Sequence, residues 1–201
     1  MYGNIKVILI GGSPMTGKTT LATNLAIRYK CNCISTDDIG EILQTENDIN
    51  PMKGFDYREY YIRKSAEDLA TEVLRYHCKI WRATKRLIKI HSTWSNPIII
   101  EGWSLYPKLI KNIKNENIKC LWLIADENIL KKRIIAKRSF YQGATNEVEM
   151  IFKYLQRSNW HNKKLYDEVV ELKEDYIKIN NNLTKKKLID KAIDIIEKSG
   201  V

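Results

Sequence analysis

One segment near the N-terminus constrains the fold more than any other. The apolar run Ile5-Lys6-Val7-Ile8-Leu9-Ile10 leads into Gly12-Ser13-Pro14-Met15-Thr16-Gly17-Lys18-Thr19, and Thr20 to Ile27 then reads as a helix. The middle stretch fits G-x-x-x-x-G-K-[ST], which places glycines where the backbone must turn with positive φ and pass close to an anion. In that geometry successive N–H groups face the β-phosphate of a nucleotide, Lys18 reaches the β- and γ-phosphates, and Thr19 offers its hydroxyl to Mg2+. The following helix adds the partial positive charge of its N-terminus. Gly12, Ser13, Pro14, Met15, Thr16, Gly17, Lys18, Thr19 and Thr20 are therefore the expected nucleotide-binding residues. A glycine-rich turn that binds nothing would leave the strand, loop and helix order unexplained.

Further apolar runs at Cys31–Ser35, Pro97–Ile100, Ile118–Ile124 and Tyr176–Ile179 read as buried strands separated by helical segments. Strands alternating with helices predict an α/β fold with a parallel sheet covered on both faces. A chain of 201 residues, 44% of them hydrophobic, suffices for one domain with a real core. No stretch approaches a membrane-spanning length, and Met1-Tyr2-Gly3-Asn4 lacks the features of a signal peptide, so a cytoplasmic protein without membrane contact is expected. Cys31, Cys33, Cys78 and Cys120 have no zinc spacing and are expected to be reduced core residues. A net charge of +10 favours anionic partners, phosphates first and nucleic acid second.

The longest gap between strands, Gly40 to Asn96, carries a seven-residue pattern in its second half. Ala66, Leu69, Val73, Tyr76, Ile80, Ala83, Leu87 and Ile90 form the stripe of a long helix. Arg75, Lys79, Arg82, Lys85, Arg86 and Lys89 lie off it, as a solvated basic face or one that contacts phosphates or nucleic acid. Near the end of the chain, Thr184 is the expected N-cap of a helix bearing Leu188, Ala192, Ile193 and Ile196.

The ends of the strands carry the chemistry. Asp37 and Asp38 follow the second strand at its carboxyl edge, beside the phosphate-binding loop. There Asp37 can take the proton of an attacking hydroxyl, while Asp38 is better placed to cap the next helix. Glu101, ending the third strand, is a second ligand for Mg2+ alongside Thr19; the alternative is a simple Glu-Gly turn. After the fourth strand, Arg133 and Arg138 lie on a basic helix before the loop Tyr141-Gln142-Gly143-Ala144. They are read as a lid, at about 131–147, that brings guanidinium groups over a transferring phosphoryl group, against the alternative of a basic surface helix. Catalysis is thus expected from Lys18, Asp37, Arg133 and Arg138. His77, His91 and His161, with no Ser or Cys partner in sight, read as surface or packing residues, and the five tryptophans are scattered.

Together, Gly11 to Thr20, Ser35-Thr36-Asp37-Asp38-Ile39 and Ile99-Ile100-Glu101-Gly102-Trp103-Ser104-Leu105-Tyr106-Pro107 resemble the 2-phosphoglycerate kinase-like group of P-loop kinases, within the wider nucleoside-monophosphate-kinase-like superfamily. Trp103 and Ser104 depart from the group's usual Val and His. The resemblance implies a three-layer fold with five parallel strands in the order 2-3-1-4-5, a helical substrate-binding insertion at about 40–96 and an arginine lid. It also implies an ATP- and Mg2+-dependent kinase acting on a small-molecule hydroxyl, with Asp37 as general base. Arg58 and Arg63 are available to an anionic acceptor. A nucleoside or polynucleotide 5′-hydroxyl kinase is the second reading, and a nucleotide-gated binding protein without transfer activity the third.

Overall fold

The computed structural model describes residues 3–44 and 56–198. Five parallel strands form one sheet: β1 (Val7–Gly12), β2 (Asn32–Ser35), β3 (Ile98–Gly102), β4 (Ile118–Ala125) and β5 (Tyr176–Ile179). Their spatial order is β2-β3-β1-β4-β5, as the resemblance implied. The central strand β1 pairs Val7 with Ile98 on one side and with Ile118 on the other. The helices among the described residues are α1 (Lys18–Tyr29), α2 (Thr36–Gln44), α3 (Tyr57–Arg63), α4 (Ala66–Thr93), α5 (Pro107–Ile110), α6 (Glu127–Ala136), α7 (Arg138–Tyr141), α8 (Glu147–Glu171) and α9 (Lys185–Lys198). Of the segment read as an insertion, residues 45–55 lie outside the described residues and the remainder holds the end of α2, α3 and α4.

Alternation along the strands builds the three layers. Ile8, Ile10, Ile99 and Leu121 face Leu21 and Leu25 of α1 and Ala192 and Ile196 of α9. Val7, Leu9, Ile100 and Trp122 face the opposite way, toward Ile88 of α4 and Leu165 and Val169 of α8. Strands buried on both faces must be apolar at every position, which is why these runs were continuous rather than alternating. The ladder of β1 runs two residues beyond its apolar run, pairing Gly11 with Gly102 and Gly12 with Leu123. Gly11 makes room for the indole of Trp122, since a Cβ there would stand 2.1 Å from the ring.

Three expectations need correction. Cys120 alone of the cysteines is buried; Cys33 and Cys78 are exposed and Cys31 is intermediate. β2 is an edge strand, so its alternation leads to solvent rather than into the core. On α4 the buried stripe is Leu69, Val73, His77, Ile80, Thr84, Ile88 and Ser92, not the strict seven-residue pattern. A straight α-helix drifts about 20° per heptad against such a pattern, so the packed face moves off Ala83, Leu87 and Ile90. Two polar members of the stripe are satisfied locally: Thr84 Oγ1 donates to the Ile80 carbonyl at 3.1 Å and Ser92 Oγ to that of Lys89 at 3.1 Å. Third, α8 was not foreseen, although it is 25 residues long and supplies part of the wall of a cleft. Thr184 does cap α9, accepting from Lys187 N at 3.3 Å. Among the described residues no helix is long and apolar enough to cross a membrane.

Candidate active site

The loop before α1 is shaped for an anion. Gly17, at φ 98°, precedes the helix and no side chain caps it, so the N–H groups of the first turn stay available to a ligand. Lys18 is buried, and its Nζ donates to the Ser13 carbonyl at 3.0 Å. The same carbonyl accepts from the Thr16 hydroxyl at 2.8 Å. Burial pushes the Lys18 ammonium below its usual pKa, with Glu101 and Asp37 acting against the shift.

Thr19 and Glu101, expected to share a metal, are in contact: Thr19 Oγ1 donates to Glu101 Oε1 at 2.9 Å. Burial raises the Glu101 carboxyl, opposed by Lys18 and by the Thr19 hydrogen bond. Two hard oxygens beside a phosphate-binding loop fit Mg2+, which takes one or two protein ligands and completes its shell with water and phosphate oxygens. Among the described residues no group of three or more His, Cys, Asp or Glu side chains that could hold a metal ion is present.

Asp37 and Asp38 divide as the local chemistry dictates. The helix starts at Thr36, three residues earlier than the cap reading of Asp38 implied. Ser35 Oγ accepts from Asp37 N at 3.2 Å and the Asp38 carboxylate accepts from Ser35 N at 3.2 Å, a reciprocal capping box. That box turns Asp38 back to the helix end and leaves the exposed Asp37 at the cleft, where Trp103 Nε1 donates to its Oδ1 at 2.9 Å. The close approach of β3 to α2 requires a glycine at 102, because a Cβ there would lie 1.8 Å from Thr36 Oγ1.

The two lid arginines part company. Arg133 reaches the phosphate-binding loop, its Nη1 donating to the Met15 carbonyl at 2.6 Å, and partial burial lowers its pKa. Arg138 is exposed at the start of α7 and does not line the cleft, whereas its neighbour Lys137 does. Nor do Arg58 and Arg63 line it: Arg58 is paired with Asp56 at 3.0 Å, and Arg63 is exposed. The buried cation that does line the cleft away from the loop is Arg157 of α8, at 6% exposure with its guanidinium 4.7 Å from the ring centres of both Tyr61 and Trp103.

One cleft of about 690 Å³ is lined at one end by Gly17, Lys18 and Thr19 and elsewhere by Asp37, Trp103 and Arg157, while Glu101 and Arg133 are not among its lining residues. Behind it lies His161, wholly buried, which does have a serine partner. Ser13 Oγ is 2.8 Å from His161 Nδ1, and His161 Nε2 is 2.8 Å from the Trp103 carbonyl. A carbonyl only accepts, so Nε2 carries the proton and Nδ1 accepts from Ser13. Burial pushes the His161 pKa down to about 3 and holds the ring neutral. His77 is likewise buried and depressed, its Nδ1 at 3.1 Å from Tyr106 Oη. A signal for α8 was present in the sequence: Met150, Tyr154, Arg157, His161 and Leu165 recur at helical spacing, and polar residues within an otherwise apolar stripe mark a buried site.

No family model and no curated protein matches the sequence. Solved structures do match in fold. A sugar kinase from Janibacter sp. HTCC2649 superposes with a TM-score of 0.63 at 17% identity, over 98% of this chain and 96% of that one. A gluconokinase from Sinorhizobium meliloti 1021 gives 0.56 at 13% identity, over 98% and 95%. Shikimate kinase from Bacteroides thetaiotaomicron gives 0.52 at 14% identity, over 95% and 98%. The architecture is shared with these kinases along nearly its whole length. The narrower resemblance to the 2-phosphoglycerate kinase-like group rests on motifs alone.

Proposed function

We propose that the protein is a kinase that transfers the γ-phosphoryl group of ATP to a hydroxyl group of a small-molecule acceptor. The observation that carries this reading is that Lys18, Thr19 and Asp37 line a single cleft. A triphosphate held by the loop and an alcohol held by the walls would then meet beside one carboxylate. In the transfer, the bond from the γ-phosphorus to the ADP oxygen breaks, a bond to the acceptor oxygen forms, and Asp37 takes the hydroxyl proton. Lys18 neutralises phosphate charge, and Arg133 joins it from α6. The segment at about 131–147 acts as the lid, with Arg138 reaching the phosphoryl group only in a closed form. Thr19 and Glu101 hold Mg2+, which when bound neutralises charge on the phosphate oxygens. The fold shared with sugar, gluconate and shikimate kinases supports a small-molecule alcohol as acceptor, and a cytoplasmic location accords with this reading.

The test is transfer from γ-labelled ATP with Mg2+ to a panel of alcohols, using wild type, Lys18→Ala and Asp37→Asn. Labelled product that both substitutions abolish or cut sharply supports the reading. ATP binding without product from any acceptor would favour the gated binding protein instead.

A nucleoside or polynucleotide 5′-hydroxyl kinase remains the second reading for one reason. Among the described residues, Arg75, Lys79, Arg82, Lys85, Arg86 and Lys89 of α4 are in no ion pair, which leaves a continuous positive face for a phosphate backbone. Oligonucleotide binding that weakens steeply with salt would support it.

A further inference from the structure

The acceptor side of the cleft has a composition that selects a shape. On the described helices α3, α4, α7 and α8, every side chain that lines it is aromatic or aliphatic apart from Arg157; Glu41 and Gln44 of α2 and Lys137, just before α7, also border the cleft. Tyr61, Phe140 and Tyr154 form one packed group, with ring centres 6.4 Å apart for Tyr61 and Phe140, 5.8 Å for Tyr61 and Tyr154, and 4.9 Å for Phe140 and Tyr154. Tyr76 adds a further ring from α4, and Trp103, tied to Asp37, stands beside the proposed base.

Set into this wall is Arg157. Its guanidinium lies 4.7 Å from the centres of Tyr61 and Trp103 and 5.3 Å from that of Tyr154. It is buried, its Nε has no hydrogen-bond partner, and among the described residues it is in no ion pair. The Tyr61 hydroxyl accepts a hydrogen bond from it, but rings attract a cation and accept few hydrogen bonds, so the buried Nε still needs an acceptor. A polyol finds only tyrosine hydroxyls among these rings, and any hydroxyl of its own set against a ring face goes unpaired at a cost. A flat ring with a carbonyl or carboxylate loses nothing there: its faces stack, and its oxygen meets Arg157.

We propose that the phosphoryl acceptor is an alcohol built on a flat, conjugated ring that bears a carbonyl or carboxylate oxygen, with Arg157 as the residue that reads that oxygen. This rests on the kinase reading above and narrows its substrate class. Two sources share the chemistry: nucleosides with carbonyl-bearing bases, and hydroxymethyl-substituted aromatic acids.

The experiment measures binding and transfer separately. Binding is followed by quenching of Trp103 fluorescence in the presence of a non-hydrolysable ATP analogue, with Trp103→Phe to isolate that signal; transfer is followed from γ-labelled ATP. Uridine and thymidine form one arm, 3- and 4-(hydroxymethyl)benzoate the second, and gluconate and glycerate the saturated control. At least one ring arm should bind about ten- to a hundredfold more tightly than the control, the range that stacking on aromatic side chains supplies. Arg157→Met should cost that arm about tenfold or more in acceptor affinity while ATP-analogue affinity stays within about twofold, and Arg157→Lys should recover only part of the loss. Saturated acids binding as well as the rings, no binding by either ring arm, or an Arg157→Met defect in nucleotide rather than acceptor affinity would each overturn the proposal. Ring binding without transfer would sink the kinase reading alone, whereas transfer to gluconate or glycerate in preference to the rings would sink this inference and leave the kinase standing.

Discussion

Replacing His161 by glutamine should alter the acid stability of the protein in a direction the structure fixes. The imidazole is fully buried, its folded pKa is pushed down to about 3 by that burial, and Lys18, Arg157 and Lys164 add to the depression while the bond to the Trp103 carbonyl opposes it. In the unfolded chain the ring returns to its ordinary value near 6.5. Between these values the unfolded chain binds a proton that the folded one does not, so stability falls as pH drops below the unfolded value. At pH 4.5, well above the folded value, the loss is set almost wholly by the unfolded side and comes to about 3 kcal/mol, two units at about 1.4 kcal/mol each. Glutamine does not titrate. At pH 7.5 the variant should be weaker by about 1–3 kcal/mol, because one of two buried hydrogen bonds at 2.8 Å goes unmade. Toward pH 4.5 that gap should close or reverse, since the wild type alone bears the His161 penalty; His77 stays depressed chiefly by its own burial in both chains, and losing the His161 contribution in the variant acts in the same direction. Urea unfolding at pH 7.5, 6.5, 5.5 and 4.5 reads the difference directly. A gap that stays constant within about 0.5 kcal/mol across the series, close to the limit of such extrapolations, would refute the reasoning.

Asp37→Asn should lower kcat by roughly 10²–10⁴ with ATP affinity and Tm unchanged, because the exposed side chain can still accept from Trp103; isothermal titration beside a coupled ADP assay checks this. Lys18→Met should abolish transfer yet leave thermal unfolding at or above the wild-type temperature, since it removes a buried ammonium that burial already disfavours. Ser35→Ala breaks the capping box of α2 and should cost about 1 kcal/mol, a fall in Tm of about 2–4 °C by calorimetry. Gly102→Ala drives a methyl group against Thr36 and should cost about 1–3 kcal/mol, together with a loss of kcat as the start of α2 shifts under Asp37.

Most of the sheet was legible because its three central strands, β1, β3 and β4, are short and buried on both faces, which leaves apolar runs that nothing else explains. The phosphate-binding loop was legible for a different reason: its chemistry needs particular residues at particular spacings, and local sequence contains all of them. The contact of Thr19 with Glu101, at 2.9 Å across 82 positions, could be read because the start of α1 and the end of β3 lie where a parallel sheet gathers its strand ends along one edge. What escaped was whatever depended on a long helix crossing that edge. Arg157 and His161 are polar residues in the buried stripe of α8, and scanning for apolar periodicity passes over polar members of a stripe. Arg58 and Arg63 were preferred as acceptor contacts because they lie within the expected insertion, but position in sequence carried no information about which cation the fold buries. The packing role of His77 and His161 was legible, but the His161 partner was not: a serine 148 residues away leaves no local trace.

Those missed residues account for how the two halves of the site stay in register. Ser13 belongs to the loop that would hold the nucleotide, and Asp37 to a different strand-to-helix junction at the sheet edge. Between them runs a chain of three hydrogen bonds, from the Ser13 hydroxyl to His161 Nδ1 at 2.8 Å, from His161 Nε2 to the Trp103 carbonyl at 2.8 Å, and from the Trp103 indole to Asp37 at 2.9 Å. A neutral imidazole can accept on one edge and donate from the opposite one, while a protonated ring would donate on both and lose the polarity of the chain. Burial keeps the ring neutral, and the acid sensitivity of folding is the physical consequence of that burial. The cost is placed where it maintains geometry: in-line transfer needs attacking oxygen and phosphorus held close to reacting distance, and misplacement by about an ångström can cost on the order of a hundredfold in rate. Trp103, a departure from the group's usual motif, is the link that reaches both sides, its main chain toward His161 and its side chain toward Asp37.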